Sequence, residues 1–452
     1  MIVIKFGGTS VQDAAAIDRA AAITLGRAAR KPVVVVSALA GTTNALLGVA
    51  DQAARGRLIV ALSGIEEIRA RHLRECEALL GSAKGSDTAS ELSAMCDELA
   101  HLAEALSVLG DLTPRSQDAI AAYGEMLSVA LVHAAFQARE VPVELMDARE
   151  VIATDDRYTR AAPRHDEIAR LSRERVLPLV KAGRIPLMGG FIGRDPNGVT
   201  TTIGRGGGDY SASLLGAALG ADAIEIWTDV DGMLTADPRI VRGARLIEEI
   251  RFDEAAELAS FGAKVLHPST IAPAVQKGIP VLVLNSRRPD GCGTRITSEA
   301  PRRAVTAVAG KGGVTVLKVR TPRMLFAHGS LRAIFEVFER HRTPVDVVAT
   351  SEVSISLTTE EAAHLDDIVV ALRVFGDVAV ERSRAIIALV GAGIADHAST
   401  MARALAALGD TSVEMVSLSA TGINLTLVVN AADLEPSVIA LHREFFGEAR
   451  AA

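Results

Sequence analysis

The run Thr200-Thr201-Thr202-Ile203-Gly204-Arg205-Gly206-Gly207-Gly208-Asp209-Tyr210 sets four glycines between a Thr-rich, strand-like stretch and a small-residue helix pattern from Ala212 to Gly220. Glycine lets backbone N–H groups approach a ligand with no Cβ in the way, and a helix N-terminus favours negative charge. The chemistry is that of a phosphate or carboxylate cradle, in which Arg205 can fork onto an anion. Asp209 repels an anion, so it caps the helix, orients a lysine or holds a metal. A capped glycine turn with no ligand is the plainest alternative. A dinucleotide fingerprint would need glycine where Asp209 stands, and no G-x-x-x-x-G-K-[ST] occurs in the chain.

A second turn of this kind closes the first strand pattern, Lys5-Phe6-Gly7-Gly8-Thr9-Ser10. Lys5 stands at the carboxyl end of that strand, where open α/β sheets bind ligands. The β-branched run Pro32 to Val36 reads as a buried parallel strand, and Ser37 to Asn44 behind it offers hydroxyls, Thr43 among them. Strand, small polar turn and helix recur, which predicts a doubly wound sheet. Pro114 opens a helix in which Gly124 sits beside Glu125, a pairing that suggests a ligand passing close. Ile224-Glu225-Ile226-Trp227-Thr228-Asp229 is a further strand with an acidic end. His267, before Pro268, reads as a structural histidine at a helix end in preference to a base.

Those elements have to be positioned by a chain of 452 residues, long enough for two to four domains. Aromatic residues make up 3 % and the net charge is −7, so nucleic-acid stacking platforms and binding to anionic membranes are not expected. Three cysteines without metal-ligand spacing read as core thiols in a reducing compartment. With no leader pattern and no apolar run of spanning length, a cytoplasmic protein is expected. Two amphipathic helices between Ser63 and Gly110 form a hairpin, with Leu102 on the inner face, and Arg287 to Arg303 reads as a linker. Beyond it come a βαββαβ pattern and most of a second, two ferredoxin-like units suited to regulation or assembly.

With Lys5 to Ser10, Gly204 to Tyr210, Trp227-Thr228-Asp229-Val230-Asp231-Gly232 and Phe261-Gly262-Ala263-Lys264-Val265-Leu266-His267-Pro268 in order, the chain resembles the aspartate kinases over essentially its whole length. The inserted helical pair makes it most similar to the monofunctional, lysine-sensitive type. The resemblance implies an amino-acid-kinase αβα sandwich with a mostly parallel sheet over 1–296. Two ferredoxin-like ACT domains would follow, the first with its linker over 297–383 and the second over 384–452. It implies transfer of the ATP γ-phosphoryl group to the β-carboxylate of L-aspartate, with Mg²⁺ bridging phosphates and no metal assigned to a protein side chain.

By motif match Lys5 would neutralise the moving phosphoryl group and Asp209 would orient Lys5. Ser37, Thr43, Glu125, Arg205, Gly206, Gly207 and Gly208 would hold aspartate, Arg205 at its α-carboxylate and Glu125 at its ammonium. Lys5, Phe6, Gly7, Gly8, Thr228, Asp229, Leu234, Arg239, Lys264 and Val265 would line the nucleotide. Met324, Ala327, Gly329, Ser330, Leu331, Pro344, Val345, Asp346, Ser351 and Glu352 would bind an effector, L-lysine or L-threonine. A homodimer or dimer of dimers through the ACT units is implied. The chain departs from the family pattern at Gly208, where serine is common, at Leu234, where tyrosine is, and at Phe326, Ala327 and Ser330, where His, Ser and Phe are. Kinases of the same fold acting on glutamate, acetylglutamate, carbamate or UMP share the glycine turns but not the paired C-terminal units. A non-catalytic amino-acid sensor would be expected to have lost Lys5 or Asp209.

Overall fold

The computed structural model describes residues 1–204, 206–261, 266–320, 329–360 and 363–447. They fall into two compact units, one of residues 1–233 and 266–298, the other of residues 234–261 and 299–447.

The first unit runs β1 (Ile2–Phe6), α1 (Ala14–Gly26), β2 (Pro32–Val36), α2 (Thr42–Ala54), α3 (Leu58–Lys84), α4 (Ser86–Leu109), α5 (Pro114–Ala121), α6 (Tyr123–Ala138) and β3 (Val143–Leu145). It continues with α7 (His165–Leu171), α8 (Leu177–Lys181), β4 (Ile185–Gly189), β5 (Ile192–Arg194), β6 (Thr200–Thr202), α9 (Gly207–Leu219) and β7 (Ala223–Thr228). The strands lie in the order β3-β4-β2-β1-β7, then Val281–Asn285 and Thr294–Ile296. All neighbours are parallel up to Val281–Asn285, and Thr294–Ile296 returns antiparallel. β1 and β2 are buried along their whole length, as their unbroken apolar runs require in a sheet covered on both faces. Register brings Phe6 beside Val36 and Trp227, and Val36 beside Gly189, so the turns after β1, β2, β4 and β7 share one carboxyl edge.

Several expectations are corrected. The segment read as a linker holds the strand Thr294–Ile296, because Gly293, at φ 65°, turns the chain back so tightly that a Cβ would stand 2.3 Å from Val283 O. The sequence Pro186-Leu187-Met188-Gly189-Gly190-Phe191-Ile192-Gly193, whose apolar pattern predicts one buried strand with a glycine end, is two strands, β4 and β5, broken at Phe191, which adopts φ 64°. In the α3–α4 hairpin Ile65, Ile68, Cys76, Leu79, Leu92, Cys96, Leu99 and Leu106 join the sheet core, whereas Leu102 is exposed. Cys292 is exposed too, so only Cys76 and Cys96 are core thiols. By length and composition the helical stretch Pro114–Ala138 could cross a membrane, yet 72 % of its apolar window is buried within the protein.

The second unit carries one antiparallel sheet, in the order Val348–Thr350, Ser354–Glu360, Ala307–Arg320, Asp377–Val390, Asn424–Asn430, Val413–Leu418. The ferredoxin-like pattern is there, but the two copies share strands. Residues 314–320 pair with 377–384 in the first copy, and residues 307–311 pair with 386–390 in the second. The second copy thus receives its last strand from chain that precedes the first copy. That is why no sixth element follows it among the described residues. A register shift between Lys311 and Val314 marks the crossing, next to Gly313 at φ 73°.

Candidate functional site

Lys5 Nζ meets Asp209 Oδ1 at 2.6 Å, both side chains nearly buried. Asp209 lies in the first turn of α9, whose N-cap Gly206, at φ 70°, provides no side-chain cap. Of the three roles left open for Asp209, orienting a lysine is the one built. A Cβ at Gly7 would stand 3.4 Å from the Lys5 ammonium and one at Gly208 3.8 Å from it. The ammonium therefore sits between the two glycine turns.

A cavity of about 590 Å³ opens there, lined by Lys5, Gly8, Ser37, Thr43, Glu125, Gly206, Gly207 and Gly208 of the expected residues. Glu125 is buried, accepting from the Ala38 N–H at 3.3 Å through Oε1 while Oε2 has no partner. Burial pushes its carboxyl up to about 8, against the downward pull of that N–H and of the Lys5 charge. What passes close to Gly124 is protein, not ligand. A Cβ there would meet the Ala38 side chain at 3.0 Å and Leu46 at 3.3 Å, so this glycine lets α6 dock on the Ser37–Thr43 turn. At Gly208 a Cβ would meet Ser37 Oγ at 2.7 Å and Lys5 Cε at 3.0 Å. Serine there requires the Ser37 hydroxyl to rotate away, and glycine leaves it room.

The nucleotide residues are less uniform. Phe6 is wholly buried and stacks with Trp227, centroids 6.5 Å apart, so its side chain presents nothing to a ligand. The Gly7 N–H is spent on Trp227 O at 2.9 Å. Thr228 donates to Asp229 Oδ1 at 3.2 Å at the end of β7. Leu234 and Arg239 belong to the second unit, where exposed Arg239 grips Asp237 bidentately. Arg205, Lys264, Val265, Met324 and Ala327 lie outside the described residues. His267 is exposed and bonded to Ser269 Oγ at 2.6 Å, at the start of the 3₁₀ turn Pro268–Thr270 instead of a helix end. Among the effector residues, Asp346 meets Lys311 Nζ at 3.4 Å, and Ser351 shares a 2.7 Å hydroxyl bond with Ser354.

Two contributors had not been expected. Asp118 lines the cavity and accepts from Thr202 Oγ1 at 2.6 Å and from the Thr159 and Thr202 N–H groups at 2.9 Å, tying α5 to β6 just before the glycine turn. Arg71, on α3, donates to Ala40 O at 2.7 Å and Gln12 O at 3.0 Å. It clamps the turn after β2 to the segment after β1. The polar breach of a helical pattern at Asp118 was the only signal for either.

Residues 1–285 match the family model described as "Amino acid kinase family", and residues 387–445 an ACT domain model. The lysine-sensitive aspartokinase 3 of Escherichia coli is 35 % identical over 99 % of both chains. This chain belongs to the aspartokinases. Its fold also superposes on E. coli aspartokinase III solved with aspartate and ADP, and on the same enzyme with lysine and aspartate. The TM-score is 0.84 in each case at 35 % identity, covering 99 % of this chain and 100 % and 99 % of those chains.

In this aspartokinase-family chain, Arg71→Ala is expected to lower kcat/KM about tenfold or more by loosening both turns, with far-UV circular dichroism unchanged. Arg71→Lys should recover only part, because a single ammonium replaces the two guanidinium nitrogens that each reach one carbonyl. Unchanged kinetics in Arg71→Ala would refute the clamp.

Proposed function

We infer that the chain is an aspartate kinase, transferring the ATP γ-phosphoryl group to the β-carboxylate of L-aspartate to give 4-phospho-L-aspartate and ADP, the entry to lysine, threonine and methionine. The observation that carries the assignment of roles is the Lys5–Asp209 pair on the wall of the cavity that also holds Glu125, Ser37, Thr43 and the 206–208 turn.

Phosphoryl transfer to a carboxylate brings two anions together, so catalysis is positioning and charge neutralisation more than covalent chemistry. Lys5 offsets the charge growing on the transferring group, and Asp209 holds the ammonium in place. Glu125, with one oxygen unpartnered, receives the aspartate ammonium, while Arg205 takes the α-carboxylate and Ser37 and Thr43 donate hydroxyls. The residues fit a nucleoside triphosphate, since α9 begins with no side-chain cap and, beyond the Gly207 N–H that donates to Gly204 O at 3.0 Å, its first turn offers backbone N–H donors to phosphate. Mg²⁺ supplies charge neutralisation on the phosphate oxygens when bound. We further propose that residues 1–296 work as the catalytic domain, that the ACT units pair two or more chains, and that the enzyme is cytoplasmic.

Regulation is proposed to run through the first ACT unit, with L-lysine as effector. Asp346 already faces an ammonium, that of Lys311, so the site has the charge to exchange it for the effector's. Lysine should inhibit at saturating substrate and threonine should not. Absence of lysine inhibition would remove this assignment.

Lys5→Ala should reduce turnover by about a thousandfold or more in an ADP-release assay with far-UV circular dichroism unchanged, although the melting temperature falls because Asp209 loses its counter-ion; near-normal turnover would overturn its role. The Glu125 carboxyl is protonated below about 8 in the free site, and an ammonium selects its ionised form. Aspartate binding to the nucleotide-free protein near pH 7 should therefore release close to one proton. Affinity should tighten by up to about tenfold per pH unit between 6 and 8. Calorimetry in buffers of different ionisation enthalpy measures the release, and Glu125→Gln should abolish it. A wild type that releases none would contradict the ammonium-binding role.

A further inference from the structure

The first ferredoxin-like copy carries a side-chain cluster that neither catalysis nor the effector reading uses. His341 ends the helix Ser330–Arg340, its N–H donating to Val337 O at 3.2 Å. His364 stands at the N-cap of the helix Leu365–Leu372, and Asp367 lies in that helix's first turn. The ligating atoms of the three side chains all lie within 4.8 Å of one another. The two rings have centroids 6.0 Å apart, and His364 Nδ1 is 3.8 Å from Asp367 Oδ2, too far for a hydrogen bond. Arg382 takes the neighbouring Asp366 at 3.2 Å, not Asp367. The helix ends are held together by Ile334, Val337 and Phe338 packing on Leu365, Ile368 and Leu372. Core packing thus presents three convergent donors that have not satisfied one another.

We propose that His341, His364 and Asp367 bind a divalent transition-metal ion, with Zn²⁺ the best match. Two imidazoles and one carboxylate suit Zn²⁺, whereas Mg²⁺ and Ca²⁺ require oxygen donors throughout. Bonds of about 2.0–2.2 Å in a tetrahedral shell put ligand atoms roughly 3.3–3.5 Å apart, so a pair 4.8 Å apart must draw in by about 1.3–1.5 Å and closer pairs by less. His364 and Asp367 are 58 % and 71 % exposed at their side chains, which leaves them free to rotate that far. Water completes the shell. A three-ligand site open to solvent exchanges its ion, unlike a closed structural site. The ion joins the C-terminal end of one helix to the N-terminal end of the other. The first of these helices carries Gly329, Ser330 and Leu331, expected effector residues, at its opposite end, so metal occupancy stiffens the scaffold of the effector site.

The test uses the full chain with Cys292→Ser, which removes the exposed thiol. Zn²⁺ is titrated by calorimetry and Co²⁺ by visible absorption. One ion per chain is expected, with d–d bands of imidazole and oxygen ligation and a metal-dependent rise in melting temperature. His341→Ala and His364→Ala should each weaken binding about tenfold or more and lose that rise, with the metal-free melting temperature unchanged. Asp367→Asn, sterically matched, provides a variant that does not disturb packing, and it should weaken binding likewise. No saturable binding below millimolar metal, or binding undiminished in all three variants, overturns the proposal.

Discussion

An ammonium group taken out of water at the end of a β-strand needs a counter-ion, and the positions of β1, α9 and both glycine turns follow from supplying one. A buried charge without its partner costs several kcal/mol, so Lys5 and Asp209 are viable only together. Lys5 comes from the centre of the parallel sheet and Asp209 from the first turn of a helix that begins after the β6 turn. The 2.6 Å contact therefore fixes how far α9 stands from β1. Glycine is what permits that distance. A Cβ at Gly190 would lie 2.7 Å from Gly208 Cα, and one at Gly207 would enter the Phe191 ring at 2.5 Å. The glycines that read as ligand cradles are also the points where backbone crosses backbone.

A second layer holds these turns from behind. Glu225, buried in β7, accepts from Arg30 at 2.7 Å and from the Trp227 indole at 3.2 Å. Trp227 O receives the Gly7 N–H and the Ser10 hydroxyl, and Ser10 meets Ser286 at 2.8 Å. Carboxylate, indole and turn form one connected path from the sheet interior to its carboxyl edge. On the side of the Glu125 cavity Arg71 and Asp118 do the same for the Ser37–Thr43 turn and for β6. These supports are hydrogen-bonded groups with little freedom, which is what keeps a site accurate to fractions of an ångström.

The sequence made the first ring of residues legible and the supports not, and the reason lies in chain separation. Lys5, Ser37, Thr43, Glu125 and the 206–208 turn sit at strand ends and helix starts, where local pattern alone places them at a sheet edge. Arg71 acts on Ala40 and Gln12, and Asp118 on Thr202, partners far along the chain that no local period reveals. Gly124 was legible as unusual and misread in cause, since an interior glycine admits a ligand or a neighbouring side chain equally well. In the second unit the periodicity showed two ferredoxin-like copies but not their exchange of strands. Gly310, Gly312 and Gly313 interrupt the apolar run Ala307 to Arg320, yet the strand passes through them with a shifted register.

Lys5 and Glu125 show two ways of keeping a charged group in a dry site. Lys5 carries its counter-ion with it, so its ammonium is ready before any ligand arrives and needs no reorganisation when negative charge develops. Glu125 has no such partner. Burial holds its carboxyl neutral up to about pH 8, which removes most of the cost of leaving Oε2 unbonded. On the roles proposed here, the Lys5–Asp209 pair and the neutral Glu125 leave that wall of the resting cavity close to electroneutral, and a new charge appears on it as the substrate ammonium draws a proton off Glu125. A carboxyl that is neutral without the ligand discriminates less sharply than a fixed charge, because a ligand lacking the amine meets a neutral wall and leaves no buried charge unpaired. Gly208 fits the same logic. It leaves the Ser37 hydroxyl and the Lys5 stem the space that a serine side chain would contest, so orientation of the acceptor falls to Ser37, Thr43 and backbone donors instead of a second hydroxyl on the helix.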